Sequence, residues 1–168
     1  MILLRKAKSS EIGIITALAE LIWPQTYSAY ISKDQLRFML DKMYNEGELL
    51  AQLQSGHTFL IASENGKDIG FAGFSIINSK EHIYKLHKLY VLPEMHGKGV
   101  GKLLINEVVN LAARNGGQTL QLNVNRNNKA KDFYLQAGFN IKETVDLDIG
   151  NGFFMNDYVM EKKLSGSI

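Results

Sequence analysis

Apolar side chains recur along this chain with two different periods, and each change of period marks a new element. Ile2 to Ala7 is a short apolar run that predicts a strand. Ile12, Ile15, Ala19 and Ile22 then follow the 3.6-residue period of a helix, capped by Ser9 or Ser10 and stopped by Trp23-Pro24. Ser32-Lys-Asp-Gln35 has the spacing of a capping box, in which side chains satisfy the first helix N–H groups. Leu36, Met39, Leu40 and Met43 continue it as the apolar stripe of a second helix, and a short third helix is expected around Glu48 to Gln54.

Period two then takes over. Thr58 to Ser63 and Asp68 to Ile77 flank Glu64-Asn-Gly-Lys67, and Asn-Gly predicts a hairpin because both residues tolerate positive φ. A turn at Asn78 to Glu81 leads to a strand from His82 to Leu92, ended by Pro93, which cannot donate to a ladder. A glycine-rich turn, Gly97 to Gly101, opens a long helix reaching about Asn115. Its Lys102, Asn106, Asn110 and Arg114 form one polar stripe on a cylinder whose other faces are almost wholly apolar. Gly116-Gly117 closes it. Thr119 to Val124 is a strand, Asn127 or Asn128 caps a last helix ending at Gly138, and strands at Phe139 to Val145 and Phe153 to Leu164 finish the chain. This order predicts an α/β (α+β) fold, a mixed sheet with helices on both faces.

Composition narrows the class. The 168 residues, read as one domain over 1–168, carry 45% hydrophobic and 21% charged side chains, which excludes a disordered chain. Cysteine is absent, so neither disulfides nor thiolate zinc sites are available, which fits a reducing compartment. The opening Met1-Ile-Leu-Leu-Arg-Lys does not read as a signal peptide, and no run approaches the ~20 apolar residues of a membrane span. A cytoplasmic protein without membrane or nucleic-acid partners is expected, because a net charge of +2 with no basic run is a poor nucleic-acid footprint. Four singly scattered histidines do not make a metal site.

The glycine turn His96-Gly-Lys-Gly-Val-Gly101 carries the first chemistry. Glycines let backbone approach a ligand, and unpartnered N–H groups at a helix start favour an anion such as a pyrophosphate. Lys98 and Lys102 add charge at its edge. A nucleotide-hydrolase loop needs four residues between its glycine and Gly-Lys, then Ser or Thr; here three separate Gly97 from Gly101, and Leu103 follows Lys102. A dinucleotide fingerprint needs glycine where Lys102 stands. A tight turn without a ligand remains the plain alternative. A second motif is Asn127-x-x-Ala130-x-x-Phe133-Tyr134-x-x-x-Gly138-Phe139, which alone reads as a cap, a core aromatic and a helix stop.

Together the two motifs resemble the GNAT superfamily of N-acetyltransferases. That family places Arg/Gln-x-x-Gly-x-Gly/Ala after a strand and, further along, Asn-x-x-Ala-x-x-Phe-Tyr-x-x-x-Gly-Phe. Leu89 through Gly101 and Asn127 through Phe139 match, except that His96 replaces the usual Arg or Gln. The resemblance implies a mainly antiparallel sheet of about seven strands, splayed at the cofactor strand. It implies acetyl-coenzyme A as cosubstrate and no metal. The pantetheine arm would lie along Leu89, Tyr90 and Val91, with a strand N–H near Leu89 holding the thioester oxygen. His96, Gly97, Lys98, Gly99, Val100, Gly101 and Lys102 would hold the pyrophosphate. Asn127 would touch the cofactor arm, and Tyr134 would give a proton to the departing thiolate.

The base and the acceptor are less determined by the resemblance. His87 shares a strand face with Leu89 and is a candidate base, equally readable as a sheet histidine; Glu94 reads as solvated, and His57 and His82 lack context. The family's acceptor region implies Trp23, Tyr27 and Tyr30 as an aromatic mouth for a cationic chain. Phe154-Met-Asn-Asp157 and Asp34-Gln-Leu resemble bacterial spermidine/spermine acetyltransferases, which makes a polyamine the leading small-molecule amine. Peptide or protein N-termini, amino sugars and amino acids stay open. A non-catalytic acetyl-coenzyme A-binding regulatory module is the alternative from another class. Exposed terminal strands in such a fold also allow a homodimer.

Overall fold

The structure, a computed structural model, describes residues 1–164. In chain order these form β1 (Ile2–Lys6), α1 (Ile12–Tyr27), α2 (Lys33–Met43), α3 (Glu46–Gln54), β2 (Thr58–Glu64), β3 (Lys67–Asn78) and β4 (Ile83–Val91). Then come α4 (Val100–Arg114), β5 (Thr119–Asn125), α5 (Ala130–Gln136), β6 (Asn140–Gly150) and β7 (Phe153–Lys163). Single 3-10 turns lie at Ser9–Glu11 and Pro93–Met95. The strands make a seven-stranded, mostly antiparallel sheet in the order β1-β2-β3-β4-β5-β7-β6, the mixed α/β class expected. The chain divides into two compact units, Met1–Ser75 with Lys88–Val108, and Ile76–His87 with the chain from Val109 onward.

In the first unit β1, β2 and β3 pair antiparallel. The hairpin between β2 and β3 turns on Asn65 and Gly66, whose φ values of 53° and 78° are the left-handed pair that a two-residue turn requires. The core takes Ile15, Ile22, Leu49, Phe59, Ile61 and Phe71, all nearly inaccessible to solvent. Two expectations are corrected here. Neither Ser9 nor Ser10 caps the first helix; Glu11 accepts the Lys8 N–H at 3.1 Å and pairs with Arg5, which also reaches Asp68. Nor does Pro24 stop α1, which runs on to Tyr27. A proline within a helix removes one N–H and crowds the carbonyl four residues back, here the exposed Glu20. Trp23 and Tyr27 flank it and are both buried, so tertiary packing outweighs that local loss.

Helices α2 and α3 begin on side-chain caps. The Gln35 N–H donates to Ser32 Oγ at 3.0 Å, and the Glu48 N–H donates to Asn45 Oδ1 at 2.8 Å. In α4, Lys102, Asn106, Asn110 and Arg114 are exposed while Leu104, Ile105, Val108 and Ala112 are buried, as the polar stripe predicts.

In the second unit β4 and β5 run parallel from Ile83↔Thr119 to Leu86↔Leu122, and their register ends there although both strands continue. β7 pairs antiparallel with β5, from Thr119↔Lys163 to Asn125↔Asp157, and with β6 on its other side. β6 is longer than expected, reaching Gly150 instead of Val145. The reason is a second Asn-Gly hairpin, Asn151 (φ 56°) and Gly152 (φ 78°), which carries the pairing to Gly150↔Phe153. Helix α5 is capped by Asn128, whose Oδ1 accepts the Ala130 N–H at 2.9 Å; Asn127 does not cap it. Asn127 is exposed, and its own N–H donates to Asn125 Oδ1. At the other end Lys162 Nζ donates to the Ala137 carbonyl at 2.5 Å.

Candidate active site

The glycine turn of the first unit has the backbone its sequence requires. Gly97 and Gly99 adopt φ of 80° and 82°, where a side chain is strained, and no atom lies within 4 Å of a Cβ built at either position. Conformation and open space, not crowding, account for these glycines. Gly97, Lys98 and Gly99 are exposed, Val100 starts α4, and the first helical bond runs from the Leu103 N–H to the Gly99 carbonyl. The N–H groups ahead of Leu103 at the start of α4 therefore have no helical acceptor. Lys98 and Lys102 are exposed beside them. His96 Nε2–H donates to the Val91 carbonyl at 3.0 Å, so the residue departing from the Arg/Gln pattern ties the turn to the end of β4.

Leu89, Tyr90 and Val91, half-buried, form that strand end. Tyr90 belongs to an aromatic group that sequence reading saw only in part. The Tyr27 and Tyr90 hydroxyls are 2.7 Å apart, and Trp23 lies 4.7 Å from Tyr27, 5.3 Å from Tyr44 and 5.6 Å from Tyr90 between centroids. Tyr30 meets Tyr27 edge-on at 5.6 Å. The three rings expected at an acceptor mouth thus stand together; Trp23, 3% exposed, is packed inside the group, and Tyr30 keeps part of its surface.

Lys88, not anticipated from sequence, is buried next to this group. Its Nζ donates to Gln52 Oε1 at 3.0 Å and lies 5.4 Å and 5.7 Å from the Tyr44 and Phe59 ring centroids. Gly73 makes room: a Cβ there would meet the Phe59 ring at 2.9 Å and Lys88 Cδ at 3.5 Å. Burial pushes the Lys88 ammonium down to about 8, opposed by the charge of Glu48. Half-buried His57 is held below the ordinary imidazole range, by burial first and the Lys88 charge second. Glu94 is solvated, as expected, 3.7 Å from Lys67.

In the second unit Tyr134 is 7% exposed on α5, edge-on to Phe133 at 5.2 Å and Phe139 at 5.7 Å. His87 is half-buried on β4, on the same face as Lys85. His82 sits at a positive φ of 54°, and its carbonyl accepts the Gln118 N–H. Cross-strand register brings Lys85 opposite Gln121 and Asn125 opposite Asp157, so these residues and Asn123 line one polar face. Asp157, 1% exposed, is buried among them. Burial raises its carboxyl above the usual range, while a hydrogen bond with Asn123 and the charges of Lys85 and Arg126 oppose the rise. Sequence reading assigned no role to Asp157. Its signal, a carboxylate on a strand that also carries buried Val159 and Met160, emerges only once β7 is paired.

Among the described residues no group of His, Asp or Glu is placed to hold a metal ion, and no helix is long and apolar enough to cross a membrane.

A mostly antiparallel mixed sheet, with a glycine turn opening a helix after the fourth strand, is an architecture shared with solved N-acetyltransferases. The PaiA N-acetyltransferase of Thermoplasma acidophilum, solved in complex with coenzyme A, superposes with a TM-score of 0.81 at 27% identity, covering 97% of this chain and 99% of that one. The profile of the Acetyltransferase (GNAT) family matches residues 15–139. The chain belongs to that family. The curated spermidine N(1)-acetyltransferase of Thermoplasma acidophilum is 27% identical over 166 residues, 95% of this chain and 96% of that protein. An uncharacterized N-acetyltransferase of Mycobacterium tuberculosis is 36% identical over 106 residues, which cover 62% of this chain and 66% of that relative's length.

Proposed function

We propose that this protein transfers the acetyl group of acetyl-CoA directly, within a ternary complex, to a primary amine on a cationic alkyl chain, a polyamine being the acceptor class. The observation that carries the cofactor-binding side of this reading is the turn at Gly97 and Gly99, whose left-handed backbone leads into the N-terminus of α4 with open space where side chains would stand. An N-terminus with free N–H groups and two lysines suits a pyrophosphate. The acceptor reading draws support from the similarity to a spermidine acetyltransferase over nearly the whole chain, and from the tyrosines grouped at the end of α1.

Each residue then has a role its own surroundings allow. The end of β4, where pairing with β5 has stopped, offers Leu89, Tyr90 and Val91 to the pantetheine arm as a further strand. A main-chain N–H near Leu89 polarises the thioester carbonyl, a donor worth a few kcal/mol at the transition state. Asn127, relieved of the cap by Asn128, keeps its amide for the cofactor arm. Tyr134 supplies the proton: a tyrosine near ~10 can donate to a thiolate whose conjugate acid is near ~8.5. His87 takes the amine's proton before attack.

The test is release of free coenzyme A, read with a thiol reagent over a panel of amines; the protein has no cysteine to add background. Thiol release that depends on spermidine or spermine is expected. Tight cofactor binding with no release on any amine, peptide or amino sugar overturns the catalytic reading in favour of a regulatory module. Tyr134→Phe should lower kcat by ~100-fold or more with cofactor affinity unchanged; equal losses in both would remove Tyr134 as the acid.

A further inference from the structure

The sheet of the second unit ends on a long strand with one open edge. Among the described residues β6 has β7 on one side and no strand on the other. All of its residues except Val145 and Ile149 are exposed, Ile141 by 45% and Leu147 by 41%. Pairing of β7 with β5 stops at Asn125↔Asp157, whereas β6 and β7 run on together to Gly150↔Phe153. The hairpin from Asp146 to Asn156 is therefore a two-stranded ribbon, a form only marginally stable in water by itself. Protein edges are usually blunted by proline, by bulges or by charges that repel an incoming strand. Here β6 has no proline, and Glu143 to Asp148 pairs with β7 without a bulge. Charge is the remaining defence, and along β6 it is arranged to attract its own reversal.

We propose that β6 pairs antiparallel with the same strand of a second copy of this chain, about a two-fold axis at Val145. A two-fold contact requires a segment that complements itself when reversed. Reversal about Val145 sets Lys142 opposite Asp148, and it does so twice. It also sets Ile141 opposite Ile149, Glu143 opposite Leu147 and Thr144 opposite Asp146, so that no like charges face each other. Lys142 and Asp148 make no ion pair with any described residue of their own chain. Other registers are worse. A slip by one residue places Glu143 opposite Asp146 or Asp148, and an axis at Asp146 sets that carboxylate against itself. An axis at Thr144 gives Lys142 to Asp146, which already holds Arg126, and leaves Ile149 beyond the end of the other strand. Pairing at Val145 joins the two ribbons into one continuous sheet. It also braces β7, from which Lys162 holds the end of α5.

The absence of cysteine makes the register measurable. Directly opposed residues of an antiparallel pair have Cα atoms about 4.5–5.5 Å apart, within the span of a disulfide. Sedimentation velocity of the full chain should give a species of twice the 18.9 kDa chain mass. Under mild oxidation Val145→Cys should form a linked dimer roughly tenfold faster than Thr144→Cys, or than Leu3→Cys on the opposite edge strand β1. Lys142→Glu and Asp148→Lys, both at exposed positions, should each raise the dimer dissociation constant by about tenfold. The double variant should restore it. A chain that sediments as a monomer at every concentration overturns the inference, whether or not another protein's strand then binds the edge. So does a dimer linked as fast through Thr144→Cys or Leu3→Cys, or one that either charge reversal leaves unchanged. None of these outcomes touches the transferase reading, which coenzyme A release tests separately.

Discussion

Among the described residues two charged side chains, Lys88 and Asp157, are buried, one in each unit, and they are finished to different degrees. Lys88 is closed by its own surroundings: its Nζ donates to an amide oxygen at 3.0 Å and lies over two aromatic rings. Asp157 has an amide on one side, two cations at a distance, and an oxygen with no partner. A buried charge that the fold completes is a packing device. One left incomplete keeps its cost for as long as nothing completes it.

The sharpest way to break this comparison is to remove the Lys88 charge. Burial lowers its ammonium from 10.5 to about 8, a shift of ~3 kcal/mol. Below pH 8 both states hold the proton and the whole cost is present. Between about 8 and 10.5 the unfolded chain still holds a proton that the folded chain has lost, so stability rises with pH. Lys88→Met should thus stabilise the protein by up to ~3 kcal/mol at pH 6, with the gain fading by pH 10.5. Urea midpoints across that range measure it, and a gain independent of pH would contradict the assignment. A smaller effect follows from Gln52→Ala, which strips the ammonium of its acceptor and should cost ~2 kcal/mol in the same assay. Smallest is Tyr27→Phe, which breaks the hydroxyl pair with Tyr90 and should cost ~1 kcal/mol, with kcat little changed.

How much of this was legible in the sequence depended on how local the cause was. The Asn65-Gly66 hairpin and the Gly97–Gly101 turn could be read directly, because two or three adjacent residues set the backbone there. Asn151-Gly152 carried the same signal and was passed over, which cut β6 short at Val145. Pro24 misled in the other direction: its local rule is real, but Trp23 and Tyr27 pack on either side of it. The choice between Asn127 and Asn128 as cap hinged on one residue of helix start, which motif spacing does not resolve.

The two buried charges were hidden for a subtler reason. Lys85 and Lys88 lie on opposite faces of β4, and a strand covered on both sides covers each at least in part, Lys88 fully and Lys85 by half. That argument was available from alternation alone. Asp157 was not, since its neighbours Asn123 and Asn125 come from β5 and meet it only through the antiparallel register. Long-range pairing, not propensity, made that site.

Helix α5, which carries Tyr134, is seven residues long, too short to nucleate and persist in water. It is held at its ends instead: Asn128 grips the first turn, and Lys162 reaches from β7 to the Ala137 carbonyl, beside the left-handed Gly138. Local opening of such a segment cannot be separated from loosening of the strand that clamps it. The lifetime of Tyr134 in its packed position against Phe133 and Phe139 is therefore borrowed from β7, and slow breathing of that strand would release the tyrosine.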